Sequence, residues 1–86
     1  MPLFTTRVYV TLKPSVFDPQ GRTIVESLHS LGYGGVAHVR QGKYFEVQVE
    51  AADAAAAEAT VREVSGTLLA NPVIESFRVD TPTPVA

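Results

Sequence analysis

Over Tyr44–Glu50, apolar and polar positions alternate without a break. Phe45, Val47 and Val49 share one side, and Tyr44, Glu46, Gln48 and Glu50 share the other. A period of two with one apolar side predicts a half-buried strand. Arg7–Lys13 repeats the pattern, with Val8, Val10 and Leu12 set against Arg7, Tyr9, Thr11 and Lys13. Its β-branched content suits a sheet, and Pro14, which has no backbone donor, ends it. The period then changes. Ile24, Leu28 and Leu31 recur at helical spacing behind Asp18, a suitable N-cap, and Pro19, a suitable first helical residue. Gly32 stands where helices leave through positive φ. Ala54, Ala57, Val61, Val64 and Leu68 line one face of a second helix, with Asp53 as N-cap and Asn71-Pro72 as the stop. Val73–Asp80 reads as a last strand. Its apolar residues, Val73, Ile74, Phe77 and Val79, do not share one parity, so its faces stay unassigned.

Between the first helix and the Tyr44 strand, Val36 and Val39 break strict alternation. This segment predicts a bulge, or a strand starting at Ala37, joined to the next strand by a turn at Gln41-Gly42. The order strand, helix, strand, strand, helix, strand is the ferredoxin-like βαββαβ arrangement of an α+β fold. Right-handed crossovers put both helices on one face of a four-stranded antiparallel sheet. The usual spatial order is 4-1-3-2, with Tyr44–Glu50 central and Ala37–Arg40 at an edge. One domain is expected over residues 1–80, with 81–86 a loose tail.

Composition narrows the function. Eighty-six residues make one domain, and a chain this small depends on good packing or on burying more surface in an oligomer. The absence of cysteine excludes thiol nucleophiles, cysteine metal sites and disulfides. Net charge is −2 and the seven basic residues are scattered, which argues against a nucleic-acid footprint. No apolar run approaches a membrane span, and MPLFTTRVYV lacks the form of a secretory signal. The expectation is a soluble, cytoplasmic protein.

Candidate chemistry is sparse. His29 and His38 have no ligand partners at metal spacing and read as surface histidines. Gly32-Tyr33-Gly34-Gly35 follows a helix, whereas a phosphate loop precedes one, so it reads as a turn. Pro19-Gln20-Gly21-Arg22 has only a faint likeness to the phosphate cradle of acylphosphatases, and Lys43–Val47 only a faint likeness to the aromatic strand of RNA-recognition domains. The more informative feature is the sheet face away from the helices. It should show Arg7, Tyr9, Thr11 and Lys13 beside Tyr44, Glu46, Gln48 and Glu50. Tyrosine and arginine on such a face suit a protein–protein contact, against the plainer reading of a solvated surface.

A longer pattern runs through the chain: Val8–Pro14, Asp18-Pro19-Gln20-Gly21, Leu28–Tyr33, Val39–Tyr44 and Leu69–Glu75, in that order. It closely resembles PurS, the small subunit of phosphoribosylformylglycinamidine synthase, over about residues 7–79. Ser15, Phe17 and the alanine-rich second helix are mild departures. The resemblance implies a non-catalytic bridging subunit in de novo purine biosynthesis. Its partners would be a synthetase (large) subunit and a glutaminase subunit, and its own copies as a homodimer or dimer of dimers. The chain itself would bind no cofactor, while the complex uses Mg-ATP and glutamine and passes ammonia between its sites. No catalytic residue is carried over. The candidate partner contacts are Arg7, Tyr9 and Lys13 on the first strand, Asp18, Gln20 and Arg22 in the loop before the first helix, and Arg40, Lys43 and Tyr44 around the expected hairpin tip. The alternative is a small-molecule-sensing ferredoxin-like regulatory domain.

Overall fold

The computed structural model describes residues 1–85. Strand β1 (Leu3–Leu12) leads into helix α1 (Pro19–Ser30). Strand β2 (Gly42–Glu50), helix α2 (Ala54–Val64), a π-helical turn (Ser65–Leu69), strand β3 (Glu75–Val79) and the short β4 (Thr83–Pro84) follow. The sheet is antiparallel in the order β2-β1-β3, with β4 also on β1. The expected ferredoxin-like α+β class holds, with two helices and four antiparallel strands.

The alternating stretches are built as their pattern predicts. In β1, Phe4, Thr6, Val8 and Val10 are buried, and Val8 and Val10 are completely so. In β2, Phe45, Val47 and Val49 are only half-buried and the residues between them are exposed. The unassigned last strand resolves as Phe77 and Val79 inward, Ser76 and Arg78 outward. Val8, Val10, Val61, Ala70 and Val79 form the main core, with Phe4, Ala51 and Ala57 as a second cluster. Thr6, buried on this side, satisfies its hydroxyl by donating to the Asp80 carbonyl at 2.6 Å.

Both helices start as their sequences specify. Asp18 accepts from Gly21 N–H at the start of α1, and Asp53 accepts from Ala56 N–H at the start of α2. Gly32 has φ +99°, the one positive φ among the described residues. At the end of α2 the chain widens into a π turn, closed by Ala70 N–H donating to Ser65 C=O at 2.9 Å. The extra residue brings Ser65 and Ala70 both inside, with the Ser65 hydroxyl donating to Val61 C=O at 2.7 Å.

Three expectations are corrected. Ala37–Arg40 forms no strand and Gln41-Gly42 no hairpin. This segment lies instead against α1, with Val36 C=O 2.7 Å from His29 Nε2 and Gln41 N–H donating to Asp18. The non-periodic Val36 and Val39 explain this, since they offer no single face to a sheet. The fourth strand comes instead from the expected loose tail. Thr83–Pro84 pairs with Phe4 and Thr5, and Val85 N–H donates to Leu3 C=O at 2.8 Å; Ala86 lies outside the described residues. Consequently β2 is an edge strand and β1 the central one. Coverage of the sheet is uneven: α2 packs on β2 and β3, while α1 touches the sheet sparsely. The molecule is a plate of 52 × 30 × 14 Å with a radius of gyration of 16.6 Å, where a compact chain of this length has roughly 12 Å.

Candidate interaction surface

The outward face of the sheet is ordered by strand register. Arg7 lies opposite Glu46 on β2, and its carbonyl accepts from Asp80 N–H at 3.0 Å, so Arg7 sits in a row between two carboxylates. One step along, Tyr9 lies opposite Tyr44 on one side and Arg78 on the other. The two phenol rings are 5.5 Å apart and tilted by 46°, and the Arg78 guanidinium stands 4.4 Å from the centre of the Tyr9 ring. Tyr9 donates to Asp80 at 3.1 Å and Tyr44 donates to Glu46 at 3.0 Å. Cation–π and tilted aromatic contacts of this kind each contribute about 0.5–1 kcal/mol at exposed sites, enough to order the side chains without burying them. Tyr44 remains 50% exposed.

The electrostatics follow from this arrangement. Tyr44 titrates above the ordinary phenol value, first because its desolvation on the sheet disfavours the phenolate and then because Glu46 accepts its proton. Arg7 is raised too, chiefly by Tyr44 and then by Tyr9. The face therefore presents a neutral Tyr44 phenol and a permanent Arg7 guanidinium near neutral pH.

The second group of predicted residues gathers where α1 begins. Asp18 accepts from Gly21 N–H and Gln41 N–H, each at 3.0 Å, and those two donors depress its pKa. Arg40 donates to the Leu12 carbonyl at the end of β1. Between them is a half-open hollow of about 470 Å³ lined by Pro14, Phe17, Arg22, Val25, His38 and Arg40, among others. Arg22 pairs with Glu26 at 3.1 Å on the exposed side of α1. Lys43 reaches away to the Leu69 carbonyl at 3.2 Å and to Glu75 at 3.4 Å. Asn71 N–H first, and then Lys43, lower the Glu75 pKa. Gln20 is exposed, and Lys13 is half-buried just past β1 with its N–H donating to Ile74 C=O. The nine predicted residues thus fall in two places: Arg7, Tyr9 and Tyr44 on the sheet face, and Asp18, Gln20, Arg22 and Arg40 around α1, with Lys13 and Lys43 at the sheet end between them. Arg78, Asp80 and Glu75 were missed, because the mixed parity of Val73–Asp80 hid which of its residues face outward. Among the described residues, no group of three or more His, Cys, Asp or Glu side chains is placed to share a metal ion.

A family model described as PurS, phosphoribosylformylglycinamidine (FGAM) synthase, matches residues 5–83. The chain belongs to the PurS family. It is 49% identical to the PurS subunit of Synechocystis over 83% of this chain and 71% of that one. It is 43% identical to the PurS subunit of Bacillus subtilis over 98% and 99% of the two chains. A chain in the structure of PurLQS from Thermotoga maritima superposes with a TM-score of 0.85 at 33% identity, covering 99% of this chain and 100% of that one. The chain is accordingly a PurS subunit of FGAM synthase, in purine biosynthesis. These relatives lend no support to the regulatory-domain alternative. No helix among the described residues is long and apolar enough to cross a membrane.

Proposed function

We propose that this chain acts in the cytoplasm as a bridging, non-catalytic subunit. It holds the synthetase and glutaminase subunits of FGAM synthase in register, so that ammonia released at one site reaches the other. The observation that carries this reading is the end-to-end likeness to a chain of a PurLQS structure. The physical logic is positional. Ammonia that escapes into water is protonated or diluted, and an assembly that confines it converts a bimolecular encounter into a local transfer. Mg-ATP and glutamine are used by the complex, and this chain supplies ordered surface. The Tyr9–Tyr44–Arg78 face and the Asp18–Arg40 region are its proposed contacts.

The same reading includes a homodimer or dimer of dimers. Large apolar side chains stand in water on this plate: Leu31 is 73% exposed, Leu68 79% and Val73 77%. The sparse packing of α1 on its own sheet supports the same view. Glutamine-dependent amidation is the test, with synthetase and glutaminase present and this chain added or withheld. The expected result is loss of glutamine-driven product without it, while ammonia-driven synthesis persists. Equal glutamine-driven rates in both cases overturn the reading.

A further inference from the structure

We propose that the hollow where α1 begins is a docking site for an acidic segment of a partner subunit, with a carboxylate gripped by Arg40 and a neighbouring apolar side chain laid against Phe17. This rests on the bridging reading above and names the chemistry of one of its contacts.

The first observation is how firmly Arg40 is held. The residues on both sides of it are fixed to the start of α1. The Val39 carbonyl lies so close over Gly21 that a Cβ there would collide with it. The Gln41 N–H donates to Asp18 Oδ2 at 3.0 Å. The Arg40 guanidinium then donates through Nη2 to the Leu12 carbonyl at the end of β1. A guanidinium carries five N–H donors, so most of this one is left for an occupant. Its planar fork can hold a carboxylate through two parallel bonds, and a fork already set in place lowers the ordering cost of binding.

The second observation is the balance of charge in the wall. Arg22 and His38 line the hollow together with Arg40. The Asp18 carboxylate beside them is already engaged, Oδ1 with Gly21 N–H and Oδ2 with Gln41 N–H. Arg22 gives its Nε to Glu26 at 3.1 Å and keeps its remaining donors. Donors thus outnumber acceptors, which favours an occupant that brings acceptors and negative charge. The chain as a whole carries −2, so it lacks the general basic field that draws a nucleic-acid backbone. Charge complementarity therefore selects a protein carboxylate.

The third observation is the apolar part. Phe17 lines the hollow while 64% exposed, and Val25 and Val39 stand in the same wall. An exposed aromatic beside an arginine is the composition of an interface anchor. The hollow measures about 470 Å³ and is half-open. A small-molecule site encloses most of its ligand, whereas a half-open one suits a side chain or two entering from a longer segment.

The test is a titration of the full-length chain into fixed synthetase and glutaminase, reading glutamine-driven amidation at low and at high salt. For wild type, the concentration giving half the maximal rate should rise with salt, because opposite charges across an interface are screened. Arg40→Met should raise that concentration by roughly tenfold or more at low salt and flatten its salt dependence. Phe17→Ser, at an exposed position whose loss leaves the fold intact, should raise it several-fold and keep the salt dependence. Light scattering on the same variants reads their own oligomeric state. Wild-type values for both variants at both salts overturn the proposal and leave the bridging reading intact. A shift in only one of them overturns the paired chemistry. If either substitution breaks up the chain's own oligomer, a second copy fills the hollow and the proposal falls. A wild-type chain that gives no stimulation overturns the bridging reading itself.

Discussion

Asp18 ties the start of α1 to a segment 23 residues further along the chain, accepting from Gly21 in the helix and from Gln41 just before β2. Its folded pKa lies below the ordinary 3.8 because both donors favour the carboxylate. The resulting stabilisation is complete above the unfolded pKa and is lost as pH falls through the folded one. Wild type should therefore exceed Asp18→Asn in stability near neutral pH, and the gap should shrink below about pH 4, as read by urea denaturation at several pH values. Glu75 is depressed as well, but it is common to both proteins and cancels in the difference. Gly21 gives a steric counterpart. A Cβ there would collide with the Val39 carbonyl and come within 2.8 Å of Asp18 Oδ2. Gly21→Ala should displace the 36–41 segment from α1, seen as faster amide exchange at Gln41, while the amides of α2 keep their protection. The cap was readable as a local signal, and Gly21 only as part of a faint cradle likeness and of the longer family pattern. Their second role, clamping a segment far along the chain, was not, because no local pattern in the sequence records which loop will lie against which helix.

At the scale of elements, regular periodicity was legible and irregular segments were not. β1, β2 and both helices stand where Val8/Val10, Phe45/Val47/Val49 and the two aspartate caps predict them. Ala37–Arg40 was misread because four residues beside a strand suggest a hairpin, while here the flanking backbone groups, Val36 C=O and Gln41 N–H, are met by His29 and Asp18 instead. Thr83–Pro84 was misread because proline argues against a strand. It is tolerated at the end of a short edge strand, where a missing donor costs little. The buried side of α2 sets its stability. Val61 is 1% exposed and holds the Ser65 hydroxyl through its carbonyl, so Val61→Ala should cost about 2 kcal/mol by leaving a cavity. Asp53→Ala should cost about 1 kcal/mol through loss of the cap. Chemical denaturation of both variants checks the pair, and a larger loss for the cap would contradict the assignment of α2 as a packed rather than propensity-driven helix.

For the whole molecule, thinness is the governing property. A plate 14 Å thick has one layer of sheet and, over part of it, one layer of helix, so much of its apolar surface lacks a second wall. If copies supply that wall, folding and association are linked, and the thermal midpoint should rise with chain concentration by mass action. Melting curves recorded over a hundredfold range of concentration test this, and a midpoint that does not move would speak against association. Such coupling would suit a subunit that works by presenting a surface, since folding and assembly then rise and fall together.

The tilted tyrosine pair on the sheet face has an optical consequence. The chain has no tryptophan and three tyrosines, and two of those three, Tyr9 and Tyr44, sit 5.5 Å apart beside Arg78. Ultraviolet emission and near-ultraviolet dichroism of the unlabelled protein are thus dominated by a single patch of its surface. The molecule carries its own reporter on the proposed contact face, and docking there would be read as a change in the intensity of tyrosine emission and in the near-ultraviolet dichroism.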